Sequence, residues 1–440
     1  MDNSTRSRRR LTLPLFFFAA ALLLVSNARK GIDLEQQIDL APTYIAAHLL
    51  WQGNGSSIYR NSAYGVIRAP EWIALEKRLM SDRGAETTFV YMPAYLWLVM
   101  PFALLLNFYQ FKVLFILLKI PCLAYFFTSI ASRWPGNLGG GALLIGTMCL
   151  SDAVVDSFRL GQNIEFLAFL IPAFFVASGR DKRLIAVLLF ILAVLLKPWA
   201  AVLLLYPMTA MRKRLTGILL LSLGALLAFQ WVLWPEEMSN FVRLVADHSK
   251  ISILSYNNLS LAAFIHKLSF GDWMNHFGWT PAPETPAMLS KIIRVPLLLA
   301  LGLFALLTTN PSLRRLAILM IPPAYMNIFW NHYLMIFFPF FADAMRRIWH
   351  RPVLRVVFSF SLVLTLWADT EVVRTFISSI LLRGYSIQEL AIILPFIHLL
   401  SIFLLTAILL SRAFSHYRRN SKSFRSIGFL RQKLFPGSPG

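Results

Sequence analysis

The fold class this sequence predicts is an all-α polytopic membrane protein: a bundle of about 12 transmembrane helices with a large first extracytoplasmic loop. Three observations predict it. Hydrophobic residues make up 57% of the 440 positions and charged residues 14%, with a mean hydropathy of +0.62, whereas a soluble domain carries about 25% charged residues. The apolar residues come in long Leu, Ile, Phe and Ala runs without the alternation of an outer-membrane barrel. The 42 Lys and Arg, against 21 Asp and Glu, cluster at the ends of those runs: RSRRR at 6–10, GRDKR at 179–183, MRKR at 211–214, RR at 314–315 and MRRIWHRPVLR at 345–355. A soluble chain with a formal charge of +21 would point to nucleic acid. Here the positions follow the positive-inside bias, which makes anionic membrane lipids the partners of these charges and argues against nucleic acid.

Taken in order, residues 1–10 form a cytoplasmic N-terminus and 11–26 an uncleaved first span, so that 27–88 lies outside. Within that loop TYIAAHLLW is apolar at helical spacing but too short to cross, and is read as an interfacial helix. Segment 89–106 carries Pro93 and Pro101 and is expected to be a re-entrant or interfacial hairpin that does not cross. Segments 111–131, 138–150 and 162–178 then bring GRDKR back to the cytoplasm and leave Ser151 to Gln162 outside. Residues 184–210 lie between two basic clusters, which makes them a helical hairpin with Lys197 and Pro198 at its outer corner. A span at 215–234, a second external loop at 235–290 and segments 291–308, 314–329, 332–345, 353–368 and 389–411 complete the transmembrane domain, 11–411. The basic tail 412–440, without Asp or Glu, is expected to be cytoplasmic. Cys122 and Cys149 both lie in apolar runs and suggest neither disulfide nor metal site.

Polar and ionisable residues converge on the outer face. They are Asp33, Glu35 and Asp39 in the first loop, then Asp152, Asp156, Arg159, Gln162 and Asn163, then Lys197, Asn257, Asn258 and His332. Transfer of a group from a lipid phosphate to a hydroxyl needs a base for the hydroxyl and cations for the departing phosphate. Asp39 is the candidate catalytic base, with capping of the following helix as the competing role. Lys197, Arg159 and His332 are candidate donor-phosphate contacts; a snorkelling lysine, an interfacial arginine and a satisfied histidine are the alternatives. Gln162, Asn163, Asn257, Asn258 and Tyr44 are candidates for sugar or acceptor binding. No phosphate-binding glycine loop, metal-spaced cluster or nucleophile elbow is present in the sequence.

These pieces form an ordered series: DLAPTYIAAHLLWQGNGSSIYR at 39–60, FVYMP at 89–93, GQNIEFLAFLIPAFFVASGR at 161–180, the run ending LLKPWAAVLLLYP, NNLSL at 257–261 and NHYLMIFFP at 331–339. The series resembles glycosyltransferase family 87, the polyprenyl-phosphate-mannose-dependent mannosyltransferase-like proteins of the GT-C superfamily. The resemblance implies a GT-C-like bundle in the plasma membrane with its active site on the extracytoplasmic face. It implies a polyprenyl-phosphate sugar donor, a glycan or glycolipid acceptor, and an aspartate of the first external loop as general base, which Asp39 matches. Lys197 and His332 fall in the matching outer-face motifs. The scheme it implies is an inverting displacement that needs no nucleotide, cofactor or obligatory metal. The sequence departs from the family pattern at Pro-Thr in DLAPTY, which bears on acceptor preference. A transporter or flippase of lipid-linked sugars is the rival reading; paired charges at mid-membrane depth and an internal repeat would favour it.

Overall fold

The computed structural model describes residues 3–28, 39–60, 68–80, 88–132, 138–249, 251–253, 258–269, 279–281, 284–348 and 351–367. Asp33, Glu35, Asn257, the segment 389–411 and the tail 412–440 lie outside the described residues. The described chain is helical, apart from one antiparallel pair of short strands, β1 (Ile251–Ile253) and β2 (Trp279–Pro281), in register Ile251↔Pro281.

The helices, in chain order, are α1 (Asn3–Leu23), α2 (Ala41–Trp51), α3 (Pro70–Met80), α4 (Tyr95–Leu105), α5 (Phe108–Ala131) and α6 (Leu138–Cys149). Next come α7 (Asp152–Leu160), α8 (Ile164–Gly179), α9 (Arg183–Leu196), α10 (Leu205–Thr209), α11 (Lys213–Leu233), α12 (Pro235–His248) and α13 (Leu261–Ser269). The last are α14 (Glu284–Leu307), α15 (Pro311–Leu319), α16 (Ile321–Tyr325), α17 (Phe338–Ile348) and α18 (Pro352–Trp367).

Three stretches, Phe108–Ala131, Lys213–Leu233 and Met288–Leu307, are long and apolar enough to cross a membrane; a fourth crossing results if Gly139–Cys149 and Asp152–Leu160, bent by 47°, act as one. That is short of the dozen expected from hydropathy. The reason lies in the breaks inside the apolar runs. Proline and short 3-10 stretches divide the remaining runs into apolar helices such as Tyr95–Leu105 and Arg183–Leu196. At 1.5 Å per residue, α4 is about 16 Å long, roughly half of a hydrocarbon core. It stops at Leu106, and Asn107 starts α5 with a capping box: Gln110 N–H donates to its side chain and its own N–H donates to the Gln110 side chain.

The hairpin expected at 184–210 is present. Pro198 disfavours a helical conformation for the residue before it, and Lys197 is extended (φ −150°, ψ 114°), which ends α9 there. The chain then returns as a 3-10 helix, Pro198–Leu204, followed by α10. The 14 residues of α9 rise about 21 Å, and the 7 residues of 3-10 plus 5 of α-helix fall about the same distance, because a 3-10 residue rises about 2.0 Å. The base is closed by Arg212, whose guanidinium donates to the carbonyls of Ser178 and Gly179. Lys197 therefore stands at the end of the bundle opposite the basic clusters 179–183 and 211–214.

One expectation for the first loop is corrected. The TYIAAHLLW segment does form a helix, α2, but it does not lie on a surface: Ala41 through Ala47 and Leu49 are all buried. Apolar periodicity records which residues avoid water without distinguishing lipid from protein as the alternative. The helix is held against α4 by Tyr44 Oη donating to Leu106 O (2.9 Å) and by His48 Nε2 at 3.0 Å from Ala103 O. Above it the 3-10 turn Gly55–Ile58 meets α12, whose Met238, Phe241 and Leu244 form one buried stripe. A Cβ at Gly55 would collide with the Glu237 carboxylate.

Candidate active site

The site is assembled around the junction of α7 and α8. Gly161 takes the left-handed conformation (φ 77°) that L side chains resist, and both its N–H and that of Gln162 return to Ser157 O (3.1 and 3.0 Å). This reversal presents Leu160 O, which accepts the N–H of Asp39 at 3.0 Å. The Gln162 amide donates to Asp39 Oδ2. Asp39 immediately precedes Leu40, the residue at the N-terminal cap of α2. Asp39 is half-buried, bound to the α7–α8 junction across more than a hundred residues of chain.

Tyrosines line the other side. Asn163 Nδ2 donates to Tyr95 Oη (2.9 Å), and the Tyr91 and Tyr95 rings lie 4.7 Å apart. The ammonium of Lys197, 8% exposed, sits 4.7 Å from the Tyr91 ring centre and 5.6 Å from that of Tyr333, with Tyr91 Oη at 3.5 Å. Asp39 is within electrostatic reach of both Lys197 and Tyr91. The irregular stretch carrying Tyr91 is pinned from two sides. Gln230, fully buried on α11, accepts the N–H of Ala94 (3.0 Å), and Tyr59 Oη donates to Tyr91 O (2.7 Å). Burial, reinforced by the Glu237 carboxylate, holds the Tyr59 phenol well above its ordinary pKa, so it remains a donor.

The third wall is a second 3-10 helix, Asn331–Phe337. Asn258 positions it. Its carboxamide oxygen accepts the N–H groups of Phe329 (2.9 Å) and Ser260 (3.2 Å), and its nitrogen donates to Asn327 O (3.0 Å). Asn331 Nδ2 then donates to Asp156 Oδ2 (2.9 Å) on α7. His332 is 1% exposed, senses the charges of both Lys197 and Lys119, and neither ring nitrogen has a hydrogen-bond partner among the described residues.

The structure thus brings Asp39, Gln162, Asn163, Lys197 and His332 to one locality. Arg159 lies next to it at the end of α7 but is half-exposed and paired with Asp156 (3.1 Å). Asn258 commits its carboxamide to the backbone, and Tyr44 turns its hydroxyl to Leu106 and its ring to Phe108 and Phe111. Both therefore act on the chain itself in this arrangement. Among the described residues no group of three His, Cys, Asp or Glu side chains is gathered to hold a metal ion.

Sequence reasoning missed several neighbours: Tyr91, Tyr95, Tyr333 and the buried ion pair Lys119–Glu165. The pair joins α5 to α8 at 3.2 Å with both side chains at most 1% exposed, Lys119 lying within electrostatic reach of Asp39. Ionisable residues inside apolar helices were the available signal. Removing one partner leaves a buried charge alone, so Glu165→Leu is expected to destabilise by about 3–5 kcal/mol, whereas Lys119→Met with Glu165→Leu recovers most of the loss. Thermal unfolding of the two variants in detergent checks this; equal melting temperatures for both would contradict it.

The comparisons with known proteins bear directly on this arrangement. No curated protein and no solved structure matches the chain. The sequence model of glycosyltransferase family 87 matches residues 89–326, which include Tyr91, Tyr95, Arg159, Gln162, Asn163, Lys197 and Asn258, while Asp39 and His332 fall outside the matched range. Because that match covers more than half of a chain with membrane-length apolar helices, the chain belongs to glycosyltransferase family 87 and is a glycosyltransferase with the character of a membrane protein.

Proposed function

We propose that the protein transfers a hexose, in the first instance mannose, from a polyprenyl-phosphate donor to a glycan or glycolipid acceptor on the extracytoplasmic side of the plasma membrane. One observation carries the reading. A carboxylate, a buried ammonium and buried polar atoms without partners, namely Gln162 Oε1, Asn163 Oδ1 and both nitrogens of His332, share one locality. Buried polar atoms are nearly always satisfied, so such a cluster is complementary to a polar ligand.

The chemistry follows from these groups. Asp39 takes the proton of the acceptor hydroxyl as the hydroxyl oxygen bonds to the anomeric carbon. The bond from that carbon to the phosphate oxygen breaks, and its electron pair leaves with the polyprenyl phosphate. Lys197 neutralises the charge that grows on the phosphate, and His332 donates to it from the second 3-10 helix. Gln162 holds Asp39 in place, while Gln162 Oε1 and Asn163 Oδ1 accept from sugar hydroxyls. A lipid donor suits the position of the site: it lies at the end of the bundle opposite the Arg and Lys clusters, beside an aromatic group, Trp97, Phe229 and Trp234, of the kind found at membrane interfaces. Inverting displacement needs neither a nucleotide nor an obligatory metal.

The Lys119–Glu165 pair is a feature the transporter reading would want. Membership of a glycosyltransferase family favours transfer. The test is donor class: proteoliposomes supplied with radiolabelled polyprenyl-phosphate-mannose, or with the nucleotide-activated sugar, and an acceptor-bearing membrane extract. Label moved only from the lipid donor is expected; label moved only from the nucleotide sugar would overturn the donor assignment, and label crossing the bilayer without transfer would favour the transporter.

A further inference from the structure

A cleft of about 230 Å³ opens at the other end of the bundle, between α5, α8, α15 and α17. Its walls are apolar, formed by Ile130, Ile171, Phe175, Leu319 and Phe340. Its mouth is polar and carries Ser312, Arg315, Asp343 and Arg346. Arg346 is paired with Asp343 (2.8 Å). Among the described residues Arg315 is paired with no carboxylate: its guanidinium lies over the touching rings of Phe175 and Tyr206, 5.5 Å from each centre, with Nη2 at 3.3 Å from Tyr206 Oη. Its Nε is buried and has no hydrogen-bond partner among the described residues.

A half-buried guanidinium at the rim of apolar walls favours an anionic partner. Water is a poor occupant. The volume would hold about eight molecules at 30 Å³ each, yet the walls offer almost no polar partners below the mouth. An ion without a tail would leave the apolar walls uncovered. Tyr206 lies just before the MRKR cluster, and Phe175 just before the carbonyls that Arg212 binds, so the mouth faces the basic end of the molecule. The leaflet at that end is the one in which anionic headgroups gather around lysine and arginine.

We propose that this cleft binds one anionic phospholipid, its phosphodiester at Arg315 and Arg346 and the upper part of one acyl chain along Ile171, Phe175 and Phe340. The site is separate from the Asp39 locality, and its occupant is a resident lipid rather than a substrate.

The purified full-length protein in neutral detergent is mixed with phosphatidylglycerol or phosphatidylcholine, and retained lipid is counted by native mass spectrometry. One phosphatidylglycerol per protein is expected, at least tenfold above phosphatidylcholine. Arg315→Gln lowers that retention at least tenfold. Ala342→Leu, which fills the cleft without altering charge, lowers it too and keeps the test decisive should the arginine variant not fold. Lys182→Gln with Arg183→Gln, at the same end but outside the cleft, leaves it unchanged. Glycerophosphate does not displace the lipid. Equal retention of the two lipids, equal loss in the Lys182 and Arg183 control, retention unaffected by Ala342→Leu, or displacement by glycerophosphate would each overturn the proposal. The readout is lipid binding and does not depend on which donor the transfer site uses.

Discussion

Asp39→Asn is expected to slow sugar transfer by about 10²–10⁴-fold, the range typical of losing a general base, with the donor still bound and the melting temperature close to wild type. The substitution preserves shape. The bond from the Asp39 N–H to Leu160 O is made by backbone and survives, and a carboxamide oxygen at position 39 can still accept from Gln162. The ability to take a proton is removed, together with the negative charge that Lys197 and Tyr91 sense. Initial rates and donor affinity, measured on equal amounts of folded protein, check this. Undiminished turnover would remove Asp39 from the chemistry, and loss of donor binding alone would make it a binding residue.

Lys197→Met is expected to cost at least about 10²-fold in turnover, comparable to removing one preorganised electrostatic contact from a transition state. Its effect on stability should be small by comparison. Lys197 is buried at a helical corner, so replacing its ammonium by a thioether relieves desolvation, which offsets the loss of the contacts with Tyr91 and Tyr333, each worth about 0.5–2 kcal/mol, and of the attraction of Asp39. A variant with a melting temperature close to wild type and strongly impaired in transfer is the expected combination. Stability and activity falling together in proportion would instead mark Lys197 as a structural lysine. Lys197→Arg retains charge but spreads it over a planar fork, and is expected to recover only part of the rate.

Some of this was legible in the sequence because the cause is local. A lysine followed by proline inside an apolar run between two basic clusters has one economical arrangement, a corner, and Lys197 occupies it. What was not legible is long-range. The contacts of Gln162 with Asp39, Asn163 with Tyr95 and Asn331 with Asp156 join residues far apart in the chain, and no periodicity announces them. Lys119 and Glu165 were visible as ionisable residues in apolar helices, but their pairing depends on how α5 and α8 pack. Asn258 is a further long-range case: in this arrangement its carboxamide bonds the backbone of the next wall. Hydropathy counted residues rather than breaks, which is why it anticipated more full-length spans than the three or four of sufficient length among the described residues.

The central claim, a single displacement with Asp39 as base and polyprenyl phosphate as leaving group, is tested most directly by the anomeric configuration of the transferred sugar. Product isolated from the reconstituted reaction with a donor of known configuration is examined by proton NMR at the anomeric position. The account predicts inversion relative to the donor. Retention would require a covalent intermediate or front-face attack, and would contradict Asp39 acting as base in a one-step transfer.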